Sequence, residues 1–407
     1  MSVVWLWLCV IPLLACGASV WHNVWRRMPN EEQGHGMADG HRRLTLLLCA
    51  QGNPTSLDEH LPLFLTQDYP DGYDVIVVAE KNDADTSNIL KRYRHHQNLY
   101  YTFIPANTRY MSQKKLAITL GVKAAKTEWI LLCEPTTKPD SQQWLRHISS
   151  HCEEGSNLVL GYTHFEIMRP TSVASESEPL PSHYPIDHLY TYLYCADQAC
   201  RGTAYRTNCY CVAFRKSEFL LGGGFQGFLK YSIGEYDFLV NKFAREGGTR
   251  LAMEQEAWMT EEAPSVKQWE NRHIYHHEVC QHLERTRQWR LRRKCDTFWL
   301  YAAYITGLAA LAIGITVQVK SLCDESTDYW PLPSDLPFMA LGAAGLTSLI
   351  LTIAIRWRLI RYVMHRFRLG TSPWHALSYE LRAPWRAFRT RLRYEYADPY
   401  DFISHKV

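Results

Sequence analysis

The sequence predicts an α/β domain on a mostly parallel sheet with helices on both faces, carried by three transmembrane helices. Three observations predict it. Strand and helix signals alternate from Leu44 to Cys133, three uncharged apolar runs match a bilayer in length, and the chain between the first two runs is long enough for a core of its own. Lys and Arg number 44 against 41 Asp and Glu, a net charge of +3. That balance excludes a strongly basic nucleic-acid binder, and 46% hydrophobic content excludes a largely disordered chain.

The apolar runs are Val3 to Trp21, Phe298 to Val319 and Leu336 to Ile355. At about 1.5 Å per helical residue each approaches the ~30 Å of a hydrocarbon core. No Lys or Arg precedes the first run, whereas Arg26 and Arg27 follow it, the reverse of a secretory signal, so an uncleaved anchor is expected. Arg285, Arg287, Arg290, Arg292, Arg293 and Lys294 precede the second run, and Arg356, Arg358, Arg361, Arg366 and Arg368 follow the third. The loop between them carries Asp324, Glu325, Asp328 and Asp335 against Lys320. The positive-inside rule then places the domain and the tail in the cytoplasm. The expected boundaries are an anchor at 1–25, a domain at 42–284, a basic juxtamembrane helix at 285–297, spans at 298–319 and 336–355 around an extracytoplasmic loop at 320–335, and a tail at 356–407.

Within the domain, Leu44 to Ala50 is a continuous apolar run ending in Gln51-Gly52-Asn53-Pro54, so it reads as a buried strand, with helical spacing from Leu57 to Leu65 after it. Tyr73 to Ala79 reads as a second strand, with a helix from about Thr86 to His95. Tyr100 to Ile104 is a third strand, Gln113 to Ala125 a helix, and Trp129 to Cys133 a fourth strand. Such order makes the strands parallel and puts any ligand beyond their carboxyl ends, at Ala50 to Asn53, Ala79 to Asp83 and Glu134 to Thr137. The Pro-, Ser- and Glu-rich stretch from Arg169 to Ser182 reads as a surface loop or flap. Cys195, Cys200, Cys209 and Cys211 fit zinc-ligand spacings poorly and read as small buried hydrophobes.

Several segments together resemble a known family. Leu44-Thr-Leu-Leu-Leu-Cys-Ala-Gln-Gly-Asn53, Leu65-Thr-Gln-Asp-Tyr-Pro70, Met111-Ser-Gln-Lys-Lys-Leu-Ala117, Lys123-Ala-Ala-Lys-Thr-Glu-Trp-Ile-Leu-Leu132, Gly222-Gly-Gly-Phe225 and Gly234-Glu-Tyr-Asp-Phe-Leu-Val-Asn241 are similar to the membrane-bound bacterial family 2 glycosyltransferases of GT-A fold. The likeness spans about residues 43 to 280. It implies a nucleotide-diphosphate sugar as donor, a lipid-linked or envelope glycan as acceptor, an inner-membrane location, and other glycan-assembly proteins as partners.

By position, the resemblance puts the nucleotide base at Ala50, Gln51, Asn53 and Glu80, with Lys114 and Arg272 near the diphosphate. The family's Asp-x-Asp, which holds Mg2+ or Mn2+, falls on Glu134-Pro135-Thr136, so Glu134 alone remains as a charged metal ligand. Asp83-Ala84-Asp85 fits that pattern literally but follows the wrong strand and reads as a helix cap. The family's catalytic Glu-Asp pair falls on Glu235-Tyr236, with Asp237 one place on; Glu235 or Asp237 would serve as base, since a tyrosine near pKa 10 is a poor one. Ser232-Ile-Gly-Glu235 also reads as a capping box that would occupy Glu235 with backbone groups. Arg206, Asn208 and Trp269 fall on the acceptor side. His273, His276 and His277 read as interfacial residues of a basic helix.

Past the third span, Arg382, Arg386, Arg389, Arg391 and Arg393 alternate with Trp374, Leu377, Leu381, Trp385, Phe388 and Leu392 at helical spacing. Such a helix suits an anionic leaflet or docks on the domain. Two readings of function follow: an inverting glycosyltransferase, or a catalytically inactive relative that binds nucleotide or assists an active enzyme, because metal, base and Arg-Trp motifs all depart from pattern together.

Overall fold

A computed structural model describes residues 3–29, 42–105, 112–165, 181, 183–323 and 336–402. The expected flap, apart from Pro181, and the acidic residues of the loop between the last two spans lie outside the described residues. The chain forms two compact units, Met1–Met28 with Arg287–Pro384, and Pro29–Thr286 with Trp385–Val407.

In chain order the elements are α1 (Val3–His22), β1 (Leu44–Ala50), α2 (Pro54–Leu65), β2 (Tyr73–Glu80), α3 (Ala84–Arg92), β3 (Leu99–Ile104), α4 (Gln113–Ala124), β4 (Trp129–Cys133), β5 (Thr137–Pro139), α5 (Trp144–Ser150), β6 (Leu158–Gly161) and β7 (Thr163–Phe165). There follow α6 (His183–Arg201), β8 (Cys211–Arg215), α7 (Lys216–Leu221), α8 (Glu235–Phe243), β9 (Thr249–Ala252), β10 (Met259–Glu261), α9 (Val266–His282), α10 (Thr286–Cys323), α11 (Leu336–Arg366), α12 (Pro373–Leu381) and α13 (Ala383–Glu395).

The second unit is a mixed α/β fold on a seven-stranded sheet of order β3-β2-β1-β4-β8-β6-β9. The first four strands are parallel, β8 runs antiparallel to both neighbours, and β9 is parallel to β6. Every residue of β1 and β4 is buried, which is why both strands are uninterrupted apolar runs. Leu46, Leu48, Val75, Val77 and Leu131 meet Leu57, Leu61, Phe64 and Trp144 in one core. On the opposite face α4 packs so closely that a Cβ on Gly121 would lie 2.2 Å from Leu47. A second sheet, β5-β10-β7, is built from three-residue strands.

In the first unit, two helices are long and apolar enough to cross a bilayer by length and composition, Thr286–Lys320 and Leu336–Arg366, and Trp7–His22 is a shorter apolar helix. Two of the three expected spans therefore meet that test among the described residues. The basic segment 285–297 is not a separate helix but the start of α10. The backbones of α10 and α11 touch through glycines: a Cβ on Gly314 would lie 2.6 Å from Gly342 Cα, and one on Gly345 2.6 Å from the Gly307 carbonyl. Arg356 is fully buried among three other helices of this unit. Its guanidinium meets Asp296 at 3.1 Å, Glu380 at 2.8 Å and the Ser19 carbonyl at 2.9 Å, and Trp25 donates to the second Glu380 oxygen at 2.8 Å.

Candidate active site

Ala50 pairs with Ala79 and Leu48 with Cys133, so β1, β2 and β4 end side by side on one edge. Strand order reverses at β1, with β2 and β3 on one side and β4 on the other, the position at which sheets of this kind take ligands beyond their strand ends. Gln51 and Gly52 leave β1 at that edge. The turn needs glycine, because Gly52 has φ +70. The Gln51 Nε2 is buried with no hydrogen-bond partner among the described residues. Asn53 precedes α2 without a side-chain capping bond. Glu80 ends β2, half-buried, while Asp83 caps α3 through Thr86 at 3.0 Å, as its position suggested.

Glu134, buried directly after β4, is held by Lys114 of α4, with Nζ 2.5 Å from Oε1. Burial opposes the charge on Lys114, but Glu134 and Glu235 outweigh it and hold the ammonium above its ordinary range. The next lysine turns inward. Lys115 is fully buried and donates to the Tyr231 carbonyl at 2.6 Å, the Ile233 carbonyl at 2.8 Å and Glu235 at 3.3 Å, and burial pushes it below its ordinary range. Tyr236 lies beside Lys114, 5.8 Å from Nζ to the ring centre, and burial with the Glu134 charge raises its hydroxyl far above neutrality, so it cannot act as a base.

Glu235 and Asp237 open α8 two residues apart, about 200° around the helix, and so face different surroundings. Glu235 points to Lys115 and Ser112 near the strand ends. Asp237 is buried and faces Arg206 at 3.7 Å and His276 at 3.4 Å. Burial raises its carboxyl, but Arg206, His276 and a backbone bond from Thr207 together hold it below the usual range. The capping box does not form: Gly234, at φ +80, takes the N-cap position, and Ser232 donates to the Asp401 carbonyl instead. A Cβ on Gly234 would also strike Val279 at 2.7 Å.

The other expected residues have internal partners. Arg272 donates to Glu261 at 3.1 Å and to the Asn208 carbonyl at 2.7 Å, and lies over the Tyr210 ring. Arg206 is buried at 3% exposure, where a lipid phosphate does not reach. Asn208 is buried against His188, and Trp269 stacks on Tyr184 at 4.4 Å beside Phe165. His273 meets Asp187 at 3.1 Å and His277 packs on Tyr394, so both have partners within the domain while remaining partly exposed. Sequence reasoning missed Glu261 and the partners of Lys115 and Asp237, because the residues concerned lie far apart in the chain. Cys195, Cys209 and Cys211 are buried free thiols, and Cys200 is partly exposed.

The residues do not fit Mg2+ or Mn2+. Such an ion at a diphosphate takes one or two free carboxylates, whereas Glu134 already faces an ammonium and Thr136 brings no charge; among the described residues no group of three or more His, Cys, Asp or Glu converges either.

His188 gives the domain a pH dependence. Its Nε2 donates to the Thr163 carbonyl at 2.7 Å, and its Nδ1 accepts from Asn208 Nδ2 at 3.3 Å, so both nitrogens are satisfied only in the neutral ring. Burial, reinforced by Arg272, lowers its pKa to about 3. Because the folded value lies below the unfolded one, the unfolded chain takes up more protons, and stability present above pH 6.5 is lost as pH falls towards 3. At pH 5 the loss is roughly 2 kcal/mol. Unfolding temperature at pH 7.5 and pH 5 is the measurement, and His188→Gln is expected to narrow the difference; an unchanged difference would assign the effect elsewhere.

No family model and no curated protein matches the chain. Solved structures similar to it include the mannosyltransferase PcManGT from Pyrobaculum calidifontis in complex with GDP-Man and Mn2+, at 16% identity over 84% of this chain and 99% of that one, with a TM-score of 0.48. Another is S. aureus TarS 1-349, at 13% identity over 85% and 91% of the two chains, with a TM-score of 0.39. The same TarS fragment with UDP-GlcNAc gives 12% identity and a TM-score of 0.38 over the same shares.

Proposed function

We propose that the chain is a membrane-anchored, inverting glycosyltransferase of family 2 type, taking a nucleotide-diphosphate sugar at the carboxyl edge of β1, β2 and β4 and a lipid-linked or envelope glycan as acceptor. The observation that carries this reading is the strand-order reversal at β1, with Gln51 and its unpartnered amide after β1, Glu134 after β4, and the Lys114–Glu134 and Lys115–Glu235 pairs of α4. Gln51, Asn53 and Glu80 are the residues assigned to the base and ribose, and the chemistry supports it, since a carboxylate accepts from a uracil or guanine N–H. Glu235 is the general base of choice. It lies on the strand-end side of α8, whereas Asp237 is enclosed by Arg206 and His276. The long apolar helices α10 and α11, with α1 as a third, serve as the anchor at the inner membrane.

Detergent-solubilised full chain, offered a panel of UDP- and GDP-sugars, tests this by release of nucleotide. Glu235→Gln is expected to lower turnover about 10²- to 10⁴-fold while nucleotide affinity holds. One observation favours the second reading, a nucleotide-binding relative without turnover: each of Glu134, Glu235, Asp237 and Glu261 already faces a cation. Tight nucleotide binding without sugar release from any donor would establish that reading and end the first. Absence of nucleotide binding would end both.

A further inference from the structure

We infer that the Lys114 ammonium binds the donor diphosphate directly, in the position where a divalent cation would otherwise bridge Glu134 and the phosphates, so that donor binding needs no metal. This rests on the nucleotide-sugar reading above and specifies how that site holds its ligand.

Glu134 is all but covered, with 8% of its side chain exposed, while Lys114 keeps 27%. Lys114 is thus the more accessible partner of the pair, and an incoming anion is matched by its ammonium rather than by the carboxylate. A primary ammonium has three N–H donors and Glu134 occupies one, leaving donors for phosphate oxygens. The Tyr236 ring steadies the same group from the side.

The charge around the site is also settled without a metal. Glu134 faces Lys114, Glu235 faces Lys115, Asp237 faces Arg206 and Glu261 faces Arg272, so each of these four carboxylates already has a cation beside it. A divalent ion on Glu134 would have to displace the ammonium against like-charge repulsion. A diphosphate, by contrast, needs no ion displaced, because it is met by the N–H donors of Lys114 that Glu134 leaves over. The Gln51 Nε2, buried and unpartnered among the described residues, is a further donor on the adjoining loop.

Titration calorimetry on the detergent-solubilised full chain with UDP and with GDP, in excess EDTA and in excess Mn2+, is the test. The affinity for whichever nucleotide binds is expected to agree within about twofold between the two conditions. Lys114→Met is expected to weaken it roughly 10- to 100-fold, the loss of one charge-assisted hydrogen bond to phosphate. Glu134→Gln separates the two chemistries, because it keeps the ammonium and removes the only charged ligand a metal would have there. Retained affinity in Glu134→Gln supports the inference. Lost affinity in Glu134→Gln, or binding that requires Mn2+, overturns it and leaves the nucleotide site standing. Failure of both nucleotides to bind the unmodified chain in either condition removes the nucleotide site itself. The doubly neutral Lys114→Met/Glu134→Gln, which buries no lone charge, is the folding control and is expected to show the same loss as Lys114→Met.

Discussion

Arg356→Met is expected to lower the unfolding temperature of the detergent-solubilised chain on the order of 10 °C, from a loss of about 3–5 kcal/mol. The arginine has no exposed surface, and the two carboxylates that it joins, Asp296 and Glu380, are 2% exposed each. Without the guanidinium, two buried acids face each other across the space it filled, and the Ser19 carbonyl loses its donor as well. Coulomb repulsion and unmet desolvation then act in the same direction. The triple variant Arg356→Met/Asp296→Asn/Glu380→Gln removes the charges together and is expected to recover most of the loss, since replacing a whole buried ion cluster is close to neutral. A single variant as stable as the unmodified protein would show that water reaches the cluster.

The second large effect is expected at Arg206. Arg206→Met leaves Asp237 buried with the His276 imidazole as its remaining titratable neighbour, a change in the same range of about 3 kcal/mol. The size of this effect depends on pH in a way that identifies the cause. In the intact protein burial, and then Arg206, lower the His276 pKa to about 4, while Asp237 acts the other way. The imidazole is therefore neutral at pH 7, accepting from Arg206 at 3.3 Å through Nε2 and facing Asp237 through Nδ1. Once Arg206 is gone, its repulsion is gone too, and the His276 pKa rises although burial still opposes the charge. As pH falls, the growing protonated share of His276 then supplies part of the cation that Asp237 has lost. The stability deficit of Arg206→Met, measured by urea unfolding, is expected to be smaller at pH 6 than at pH 8. Equal deficits at the two pH values would mean that the two side chains are not coupled.

The sheet was legible because its central strands are buried on both faces. Such strands must be continuous apolar runs, and Leu44–Ala50 and Trp129–Cys133 coincide with the runs read from the sequence. That β1, β2 and β4 end on one edge followed from the alternation of strand and helix signals. The second sheet was not legible, since strands of three residues such as Thr137–Pro139 and Met259–Glu261 are too short to show a period of two. Ser232 was misread because a local pattern was weighed without its competitor: Gly234 reaches the left-handed backbone that the turn requires, and Ser232 is drawn off by the tail. The ion pairs were hidden for a different reason. Lys114 and Glu134 are brought together by α4 packing against the sheet, and Arg206, Asp237 and His276 come from three separate segments. Nothing at either end of such a pair marks its partner, so a lone Lys or Asp reads as a solvated charge until the fold closes.

The tail has a consequence for how the protein is made. Tyr394 donates to Glu278 at 2.5 Å, Arg393 meets Glu270 at 2.6 Å, and the Ser232 amide donates to the Phe402 carbonyl at 2.9 Å, all within the unit that starts at Pro29. On the ribosome these final pieces emerge only after the whole of Arg287–Pro384 has been translated. The sheet can collapse early, but the α9 surface waits uncovered through that interval. A nascent chain stalled before Trp385 would display it to chaperones and proteases.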